Sequence, residues 1–356
     1  MEIIDLRRMK PPDEAGRLGG VLWPLLMPAS GLYGAATWLR RRLPGRSVDP
    51  GVPVVSIGSL SVGGTGKTPL CMLIARHYWS SGRRTCILSR GYRRRSRRSP
   101  LVVSDGRELL AAVEAAGDEP YMMASRLEGT AVIVGKDRAA AAATAVDGLG
   151  ADLLLLDDGF QTRSIRKTVE VVCMDRRSLS SKAAHLPLGI LREGRSALAC
   201  ADLVVVMLTS GEPEPDPAEL AWLGEREVFF ATRTLGSLTG ADGSPMDWEA
   251  VRNRRSLLLS GIARPDNFER VCLGEGLNAV ASVRFDDHRW YGEVDHRRIR
   301  DLMAELSCDM VVTTDKDVHK LDAELRGTAA VLGMDLVLKK EHRFWSRLDA
   351  GIGCAG

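Results

Sequence analysis

The segment from Val54 to Thr68, with the sequence VVSIGSLSVGGTGKT, most restricts the fold of this 356-residue chain. It reads as an apolar strand that passes through a glycine-rich turn into a helix. Such a turn directs successive backbone N–H groups toward a phosphate chain, because glycine permits dihedral angles and a close approach that a side chain would block. The segment therefore predicts a P-loop in a nucleotide-binding α/β protein.

The predicted nucleotide-binding residues are consecutive: Ser61, Val62, Gly63, Gly64, Thr65, Gly66, Lys67 and Thr68. In this pattern the lysine reaches the β- and γ-phosphates, and the threonine hydroxyl binds Mg²⁺. Ser61 departs from the strict pattern, which has glycine there, but the GGTGKT core makes a turn without a nucleotide the weaker interpretation. Val62 stands where deviant P-loop ATPases carry a lysine, and no N-K-x-D guanine motif follows, so ATP is the predicted nucleotide.

A second apolar strand ends in two acids, in the sequence LLLLDDGFQ at residues 153–161. Because the carboxyl ends of parallel strands meet at one edge of a sheet, Asp157 and Asp158 are expected beside the P-loop, where Mg²⁺ needs hard oxygen ligands. Solvated aspartates at a strand-to-turn boundary are the alternative. The predicted metal site comprises Thr68, Asp157, Asp158 and Gln161. The sequence leaves open which of Asp157, Asp158, Glu119 and Gln161 touches the ion.

Apolar runs alternate with helix-like stretches along most of the chain. In the first part the runs lie at residues 53–57, 85–89, 131–134, 153–156, 169–174 and 203–208. Buried strands bounded by helices predict a P-loop NTPase-type α/β fold, with a mostly parallel sheet and helices on both faces. A shorter α/β series begins near residue 257. We therefore predict a membrane-associating segment at 1–42, a P-loop core domain at 43–235 and a smaller C-terminal α/β domain at 236–356.

The N-terminal segment carries no charged residue from Leu18 to Leu39, and Arg40–Arg42 follow at once. Its prolines, glycines and aromatic residues favour a helix that lies on a membrane surface over one that spans it. A core helix packed on the second domain is the alternative.

The charges are unevenly distributed, although the net charge is only +3. Residues 1–100 hold 18 Lys+Arg against 5 Asp+Glu, whereas the rest holds 31 against 41. The basic front part predicts an anionic partner, such as a lipid surface or phosphate. Nucleic acid is disfavoured, because the arginine run at 93–98 lacks interleaved aromatic residues. Seven cysteines without a C-x-x-C pair predict buried thiols in a reducing compartment, with neither a disulfide frame nor a zinc site.

Two further motifs are uninformative by themselves. GDEP, at 117–120, opens a helical pattern in which Asp118 is explained as a partner of the helix dipole. FDDHR, at 285–289, ends a strand, and His288 there is explained as a surface residue.

Taken in chain order, the motifs resemble the tetraacyldisaccharide 4'-kinase family, the lipid A kinases of Gram-negative bacteria. They are VPVVSIGSLSVGGTGKTP, SRGY, GDEP, LDDGFQ, LPLGILRE, SGIARP, FDDH and TTDKD. The resemblance runs from about Leu26 to Leu338, and the family also has Ser or Thr at the position of Ser61. It implies an ATP- and Mg²⁺-dependent transfer of the γ-phosphoryl group to the 4'-hydroxyl of a tetraacylated glucosamine disaccharide 1-phosphate. The implied location is the cytoplasmic face of the bacterial inner membrane.

The resemblance also implies the catalytic residues Lys67, Asp118 and His288, of which the last two form an Asp–His pair drawn from different domains. Thr162 and the Lys167-Thr168 pair depart from the family pattern. We expect a monomer whose partners are the acylated disaccharide lipid and the inner-membrane surface. A P-loop kinase or ligase for a small soluble metabolite and a nucleotide-driven assembly protein are the alternatives. The uncharged N-terminal segment disfavours the soluble enzyme.

Overall fold

The computed structural model describes residues 1–7, 16–43, 45–180 and 183–353, with the backbone alone for residues 16–25. These residues form two compact units. We call residues 16–234 and 336–353 the P-loop unit, and residues 1–7 and 235–335 the second unit.

The strands of the described residues are, in chain order, β1 (Glu2–Asp5), β2 (Val54–Ser59), β3 (Thr85–Ser89), β4 (Leu101–Ser104), β5 (Ala131–Val134), β6 (Leu153–Asp157), β7 (Val169–Asp175), β8 (Leu203–Thr209), β9 (Val228–Gly240), β10 (Ser256–Ser260), β11 (Ala279–Arg284), β12 (Met310–Thr314) and β13 (Ala329–Leu338). The chain passes into the second unit within β9 and returns within β13.

The α-helices are α1 (Gly16–Arg42), α2 (Lys67–Ser80), α3 (Val113–Ala116), α4 (Asp118–Arg126), α5 (Arg138–Ala143), α6 (Arg176–Leu179), α7 (Pro217–Leu220), α8 (Trp248–Arg252), α9 (Pro265–Gly274), α10 (Glu293–Glu305), α11 (Ala323–Gly327) and α12 (Glu341–Ile352). A π-helical turn, Thr144–Gly148, continues α5. Short 3₁₀ helices lie at Arg195–Cys200, Ala221–Leu223 and Val318–Lys320.

The sheet of the P-loop unit has the strand order β9, β8, β7, β2, β6, β3, β5, β4. The pairs are parallel except for β4, which runs antiparallel to β5. Alternate residues of β6 enter two cores, since Leu153 and Leu155 cluster with α2, whereas Leu154 and Leu156 cluster with α5. Helices on both faces explain why this strand is apolar without alternation. The predicted fold class, a mostly parallel sheet covered by helices, is confirmed.

The sheet of the second unit is parallel, with the strand order β1, β11, β10, β12, β13. Its two faces also carry separate cores. Ile299 and Leu302 of α10 pack on one face, and Phe268 and Cys272 of α9 pack on the other. The order of elements agrees with the shorter α/β series expected after residue 257.

The two units divide the chain differently from the predicted domains at both ends. The first strand, which the prediction places in the 1–42 segment, pairs with β11 of the second unit. The last helix, which the prediction places in the 236–356 domain, belongs to the P-loop unit. Phe344, Trp345 and Leu348 of α12 lie in one apolar core with Val169 of β7 and Phe229 of β9, and the Phe344 and Phe229 rings are in edge contact.

The uncharged N-terminal stretch forms part of a single helix, α1, and ends in three arginines. Two polar residues of the helix contact the rest of the P-loop unit: Ser30 Oγ donates to the His185 carbonyl at 2.8 Å, and Arg41 Nε donates to Glu193 Oε2 at 2.5 Å. Arg163 donates to the carbonyls of Arg40 and Leu43 at the end of the helix. Within the described residues, no helix combines the length and the apolar character needed to cross a membrane.

The cysteines in the described part of the chain are free thiols. Four of them are buried, and desolvation raises the pKa of each thiol: Cys71, Cys86, Cys173 and Cys272. Cys354 lies outside the described residues. The prediction of buried thiols is confirmed for these four and wrong for Cys200, which is exposed, and for Cys308, which is half-buried.

Candidate active site

The P-loop connects β2 to α2 at the carboxyl edge of the sheet, with the strand, turn and helix that its sequence predicts. Gly66 precedes the first helical residue, Lys67, and has a φ of 82° in the left-handed region. The backbone angle favours glycine, and a Cβ at Gly66, 2.8 Å from the Met207 side chain of β8, would also require that side chain to shift. The positive dipole end of α2 therefore lies at the loop.

The Lys67 amine lies over the loop that precedes it. Its Nζ donates to Ser59 Oγ and Thr65 Oγ1, each at 3.3 Å, and to the Gly63 carbonyl at 3.4 Å. Asp158 Oδ1 is 3.6 Å away. The charged amine is thus at the position where the P-loop pattern places the lysine that binds phosphate.

Ser61 and Val62 join the start of the loop to the LPLGILRE segment. Ser61 forms an antiparallel bridge with Leu191, and the Val62 N–H donates to the Ile190 carbonyl at 2.8 Å. The Ser61 carbonyl accepts from Ser59 Oγ at 2.7 Å. The loop is therefore held at its first residues by a second segment of the same unit.

Asp157, at the end of β6, lies beside the first turn of α2 and is almost completely buried. Its Oδ1 accepts from Thr68 Oγ1 at 3.3 Å, and its Oδ2 accepts from Ser89 Oγ at 3.1 Å. Burial, together with the negative charges of Glu119 and Asp158, raises the pKa of Asp157 to about 7. Asp157 is the buried carboxylate beside the P-loop that the LDDGFQ motif predicts.

These groups fit a Mg²⁺ ion. Mg²⁺ prefers oxygen ligands and is usually held by one or two carboxylates, with water and phosphate in the other positions. A cation beside Asp157 would offset the repulsion from the neighbouring carboxylates that raises its pKa. The described residues contain no group of three His, Cys, Asp or Glu side chains arranged to hold a metal ion. A site built from Thr68 and Asp157 would leave room for phosphate and water.

Asp158 and Gln161 lie in the same site but face other partners. Asp158 adopts a φ of 52°, and its two oxygens accept from Arg192 at 2.8 and 2.9 Å. Burial would raise the pKa of Asp158, but hydrogen bonds from Arg192 and the charge of Lys67 outweigh it and hold the pKa below its ordinary value. Gln161 Nε2 donates to the Ser59 carbonyl at 3.0 Å. Their assignment as metal ligands stays a prediction.

Asp118 is the first residue of α4 in the P-loop unit, and its side chain is buried. Its Oδ1 accepts the Glu119 N–H at 3.0 Å. Glu119 is close enough to Asp157 for its charge to raise the pKa of that carboxyl. The GDEP motif therefore lies on the Asp157 side of the P-loop.

His288 follows β11 in the second unit, with a φ of 62°. Its Nε2 lies 3.5 Å from Lys316 Nζ, which also donates to Asp287 Oδ1 at 2.8 Å. Asp118 belongs to the P-loop unit, so the pairing of the two residues stays a prediction.

A family model for tetraacyldisaccharide-1-P 4'-kinase matches residues 22–352. The chain belongs to the tetraacyldisaccharide 4'-kinase family. It is 40% identical over 361 residues to a tetraacyldisaccharide 4'-kinase of Anaeromyxobacter sp. (strain K), covering 96% of this chain and 94% of that protein. It is 33% identical over 327 residues to the tetraacyldisaccharide 4'-kinase of Geobacter sulfurreducens, covering 90% of each.

A solved structure supports the same assignment. The crystal structure of "apo" form LpxK from Aquifex aeolicus in complex with ATP superposes with a TM-score of 0.78 and 28% identity. The match covers 94% of this chain and 99% of that one. The predicted membership of the tetraacyldisaccharide 4'-kinase family is therefore confirmed.

The sequence did not single out several side chains that this family member brings to the site. Arg192 binds Asp158 and also donates to the Ser61 carbonyl at 3.2 Å. Arg138 is buried, which lowers its pKa to about 10, and it donates to the Asp157 carbonyl at 3.4 Å. Ser89, at the end of β3, could have been found by the rule that polar residues at the carboxyl ends of parallel strands share one edge.

If Asp157 is a Mg²⁺ ligand, as predicted, its raised pKa should make Mg²⁺ binding depend on pH in this tetraacyldisaccharide 4'-kinase family member. Below pH 7 a proton competes with the cation for this carboxylate. We expect the Mg²⁺ affinity of the complex with ADP, measured by calorimetry, to fall by up to about tenfold per pH unit below 7. Asp157→Asn should bind Mg²⁺ more weakly and lose this dependence, whereas exposed Asp147→Asn should retain it. Equal wild-type affinities at pH 6 and pH 8 would contradict the expectation.

Proposed function

We propose that the chain transfers the γ-phosphoryl group of ATP to the 4'-hydroxyl of a tetraacylated glucosamine disaccharide 1-phosphate, a step of lipid A biosynthesis. The observation that carries the proposal is the P-loop site. Lys67 lies over the glycine turn, and Asp157 lies beside Thr68, in a chain that belongs to this kinase family. As a family member the protein is a kinase, and ATP is its phosphoryl donor.

The P-loop unit binds the triphosphate in this scheme. Backbone N–H groups of the loop and the Lys67 amine hold the β- and γ-phosphates, and the dipole of α2 adds a partial positive charge. Thr68 and Asp157 would hold Mg²⁺, which supplies charge neutralisation across the phosphates. Asp158 orients Lys67 and Arg192 through its ion pairs at 3.6 and 2.8 Å.

Asp118 receives the proton of the sugar hydroxyl in this proposal. A carboxylate within hydrogen-bond reach of the attacking oxygen serves as a general base, and a partner histidine orients and polarises it. His288 is the proposed partner.

The described half of α1 supports a membrane-surface position for the acceptor lipid. Its polar residues Ser30 and Arg41 contact the P-loop unit, while large apolar side chains are exposed to solvent: Met27, Leu32, Trp38 and Leu39. An open cleft lies at the end of this helix, beside the DDGFQ turn. Its lining includes cations suited to an anionic sugar lipid, and comprises Tyr33, Thr37, Arg40, Arg41, Phe160, Gln161, Arg163, Arg192 and Glu193.

The exposed face of α1 gives a prediction for membrane binding. The double variant Leu32→Ser, Trp38→Ser should bind vesicles of phosphatidylethanolamine and phosphatidylglycerol roughly 100-fold more weakly, because each large apolar side chain contributes about 1.5 kcal/mol on burial. Co-sedimentation with the vesicles measures the fraction of protein that is bound. Leu109 and Val337 are exposed elsewhere in the P-loop unit, so Leu109→Ser, Val337→Ser is the matched control and should bind normally. Equal weakening in both double variants would argue against α1 as the docking element.

The activity is tested by incubating the protein with γ-labelled ATP and the detergent-dispersed disaccharide 1-phosphate lipid. We expect the label to move to the lipid at the 4'-position and the product to carry two phosphates. A soluble-metabolite kinase predicts no label in the lipid fraction. The apolar exposed face of α1 favours the lipid acceptor over a soluble one.

A further inference from the structure

Besides Lys67 and Arg192, a third cation contacts the P-loop. Arg233 lies on β9, where it pairs in register with Thr209 of β8. Its Nη2 donates to the Gly64 carbonyl at 2.5 Å, across 169 positions of the chain. Lys67 makes the same kind of contact with the neighbouring Gly63 carbonyl. Two cations therefore lie against the same glycine pair from different elements.

The strand order places Arg233 opposite the proposed metal site. The strand order in the sheet is β9, β8, β7, β2, β6, and the P-loop follows β2. Asp157 ends β6 on one side of β2, and Arg233 lies on β9 on the other side. A phosphate chain on the loop would thus have carboxylate and metal on one side and a guanidinium on the other. Gly64 precedes Lys67 by three residues, in the part of the loop whose N–H groups face the β- and γ-phosphates.

Two other arginines lie near the loop, and one of them, Arg192, also donates to the Ser61 carbonyl at 3.2 Å. Arg192 makes a bidentate pair with Asp158. The Arg177 guanidinium lies 3.7 Å from the position that a Cβ on Gly63 would take, but its Nε donates to Asp175 Oδ2 at 3.0 Å. Arg233 is the arginine whose guanidinium contacts the P-loop backbone at the glycine pair.

We infer that Arg233 is a catalytic residue that stabilises the charge developing on the γ-phosphoryl group and on the β–γ bridging oxygen during transfer, a role that rests on the proposed function. A planar guanidinium can bridge two phosphate oxygens with parallel hydrogen bonds. In the step, the bond between the γ-phosphorus and the β–γ bridging oxygen breaks, and a bond from the sugar oxygen to that phosphorus forms. The hydroxyl proton passes to Asp118, and the bridging electron pair stays on ADP. Arg233 gains no proton and loses none.

The inference is tested by comparing kcat with ground-state binding in Arg233→Met and Arg233→Lys. An arginine supplied to a P-loop transition state accelerates transfer on the order of 10³-fold or more, so kcat of Arg233→Met should fall on the order of 10³-fold. The Kd of fluorescent ADP should change less than about threefold, since the contact strengthens only in the transition state. Arg233→Lys should recover part of the loss, because an amine keeps the charge but lacks the fork. Binding of ADP with Mg²⁺ and aluminium fluoride, which mimics the transferred group, should weaken in parallel with kcat.

Arg177→Met is the matched control, and its kcat should stay within about threefold of the wild type because Asp175 already pairs with Arg177. Arg233→Met with near wild-type kcat would overturn the inference. A parallel loss of kcat, ADP affinity and thermal unfolding midpoint would also overturn it, because Arg233 would then act only on the fold. Lys67→Ala, measured alongside, separates the two proposals. A fully active Lys67→Ala refutes the proposed P-loop site. An inactive Lys67→Ala together with an active Arg233→Met refutes only the role of Arg233.

Discussion

Replacement of Lys67 by alanine is expected to lower kcat for phosphoryl transfer by on the order of 10³-fold or more. The amine lies over the glycine turn, 3.3 to 3.4 Å from three oxygens of the loop region and 3.6 Å from Asp158. Phosphoryl transfer passes through a loose transition state, so catalysis depends on positioning and on charge stabilisation more than on a strong base. Removal of the central cation therefore removes the main protein contribution.

The measurement is the initial rate of label transfer from ATP to the lipid acceptor, with the thermal unfolding midpoint recorded for each variant. Lys339→Ala is the matched control, because Lys339 is an exposed lysine of the same unit that pairs with Glu214. An exposed pair of this kind contributes about 0–1 kcal/mol to stability, and the control should retain full activity. If Lys67→Ala transfers the label as fast as Lys339→Ala does, Lys67 does not bind the phosphates of ATP.

Asp118→Asn and His288→Ala are expected to lower kcat by on the order of 10²- to 10⁴-fold, the range that a general base contributes. Asparagine keeps the shape of Asp118 but cannot accept the sugar proton. Loss of Lys67 should be at least as damaging, because charge stabilisation outweighs base strength in this reaction. The KM for ATP should change little in both variants, since neither residue is assigned to the phosphates.

A double variant tests whether the two residues act as a unit. If His288 works only through Asp118, the double variant should be no slower than the slower single variant. Asp147→Asn, an exposed acid of the same unit, serves as the control and should leave kcat unchanged. Near-normal turnover in Asp118→Asn or His288→Ala would refute the pair, and fully additive losses would mean that the residues act separately.

Sequence patterns could predict the elements around the site because the relevant signals are local. The apolar run 153–156 lies within β6, and the glycines before Lys67 match the turn that the structure has. The meeting of Asp157 with Thr68 also follows from strand order, since the carboxyl ends of parallel strands share one edge. These features depend on short-range periodicity and on one topological rule.

Contacts between distant segments could not be predicted in the same way. The bidentate pair of Arg192 with Asp158 joins two loops, whose conformation no periodicity specifies. The four residues of β1 are too few to show a strand pattern, and their pairing with β11 spans most of the chain. The helix α12 is amphipathic, but its sequence does not state which sheet face it covers.

The return of α12 to the P-loop unit has a consequence for biosynthesis. In the sequence, most of the second unit lies between β9 and α12, both of which contribute to the core of the P-loop unit. That core therefore lacks Phe344, Trp345 and Leu348 until nearly the whole polypeptide has left the ribosome. A nascent chain stopped after β13 would display the bare flank of Val169 and Phe229. Chaperone engagement during translation is thus expected to persist until the final helix emerges, and a stop codon at position 340 should yield an insoluble product although every predicted catalytic residue is present.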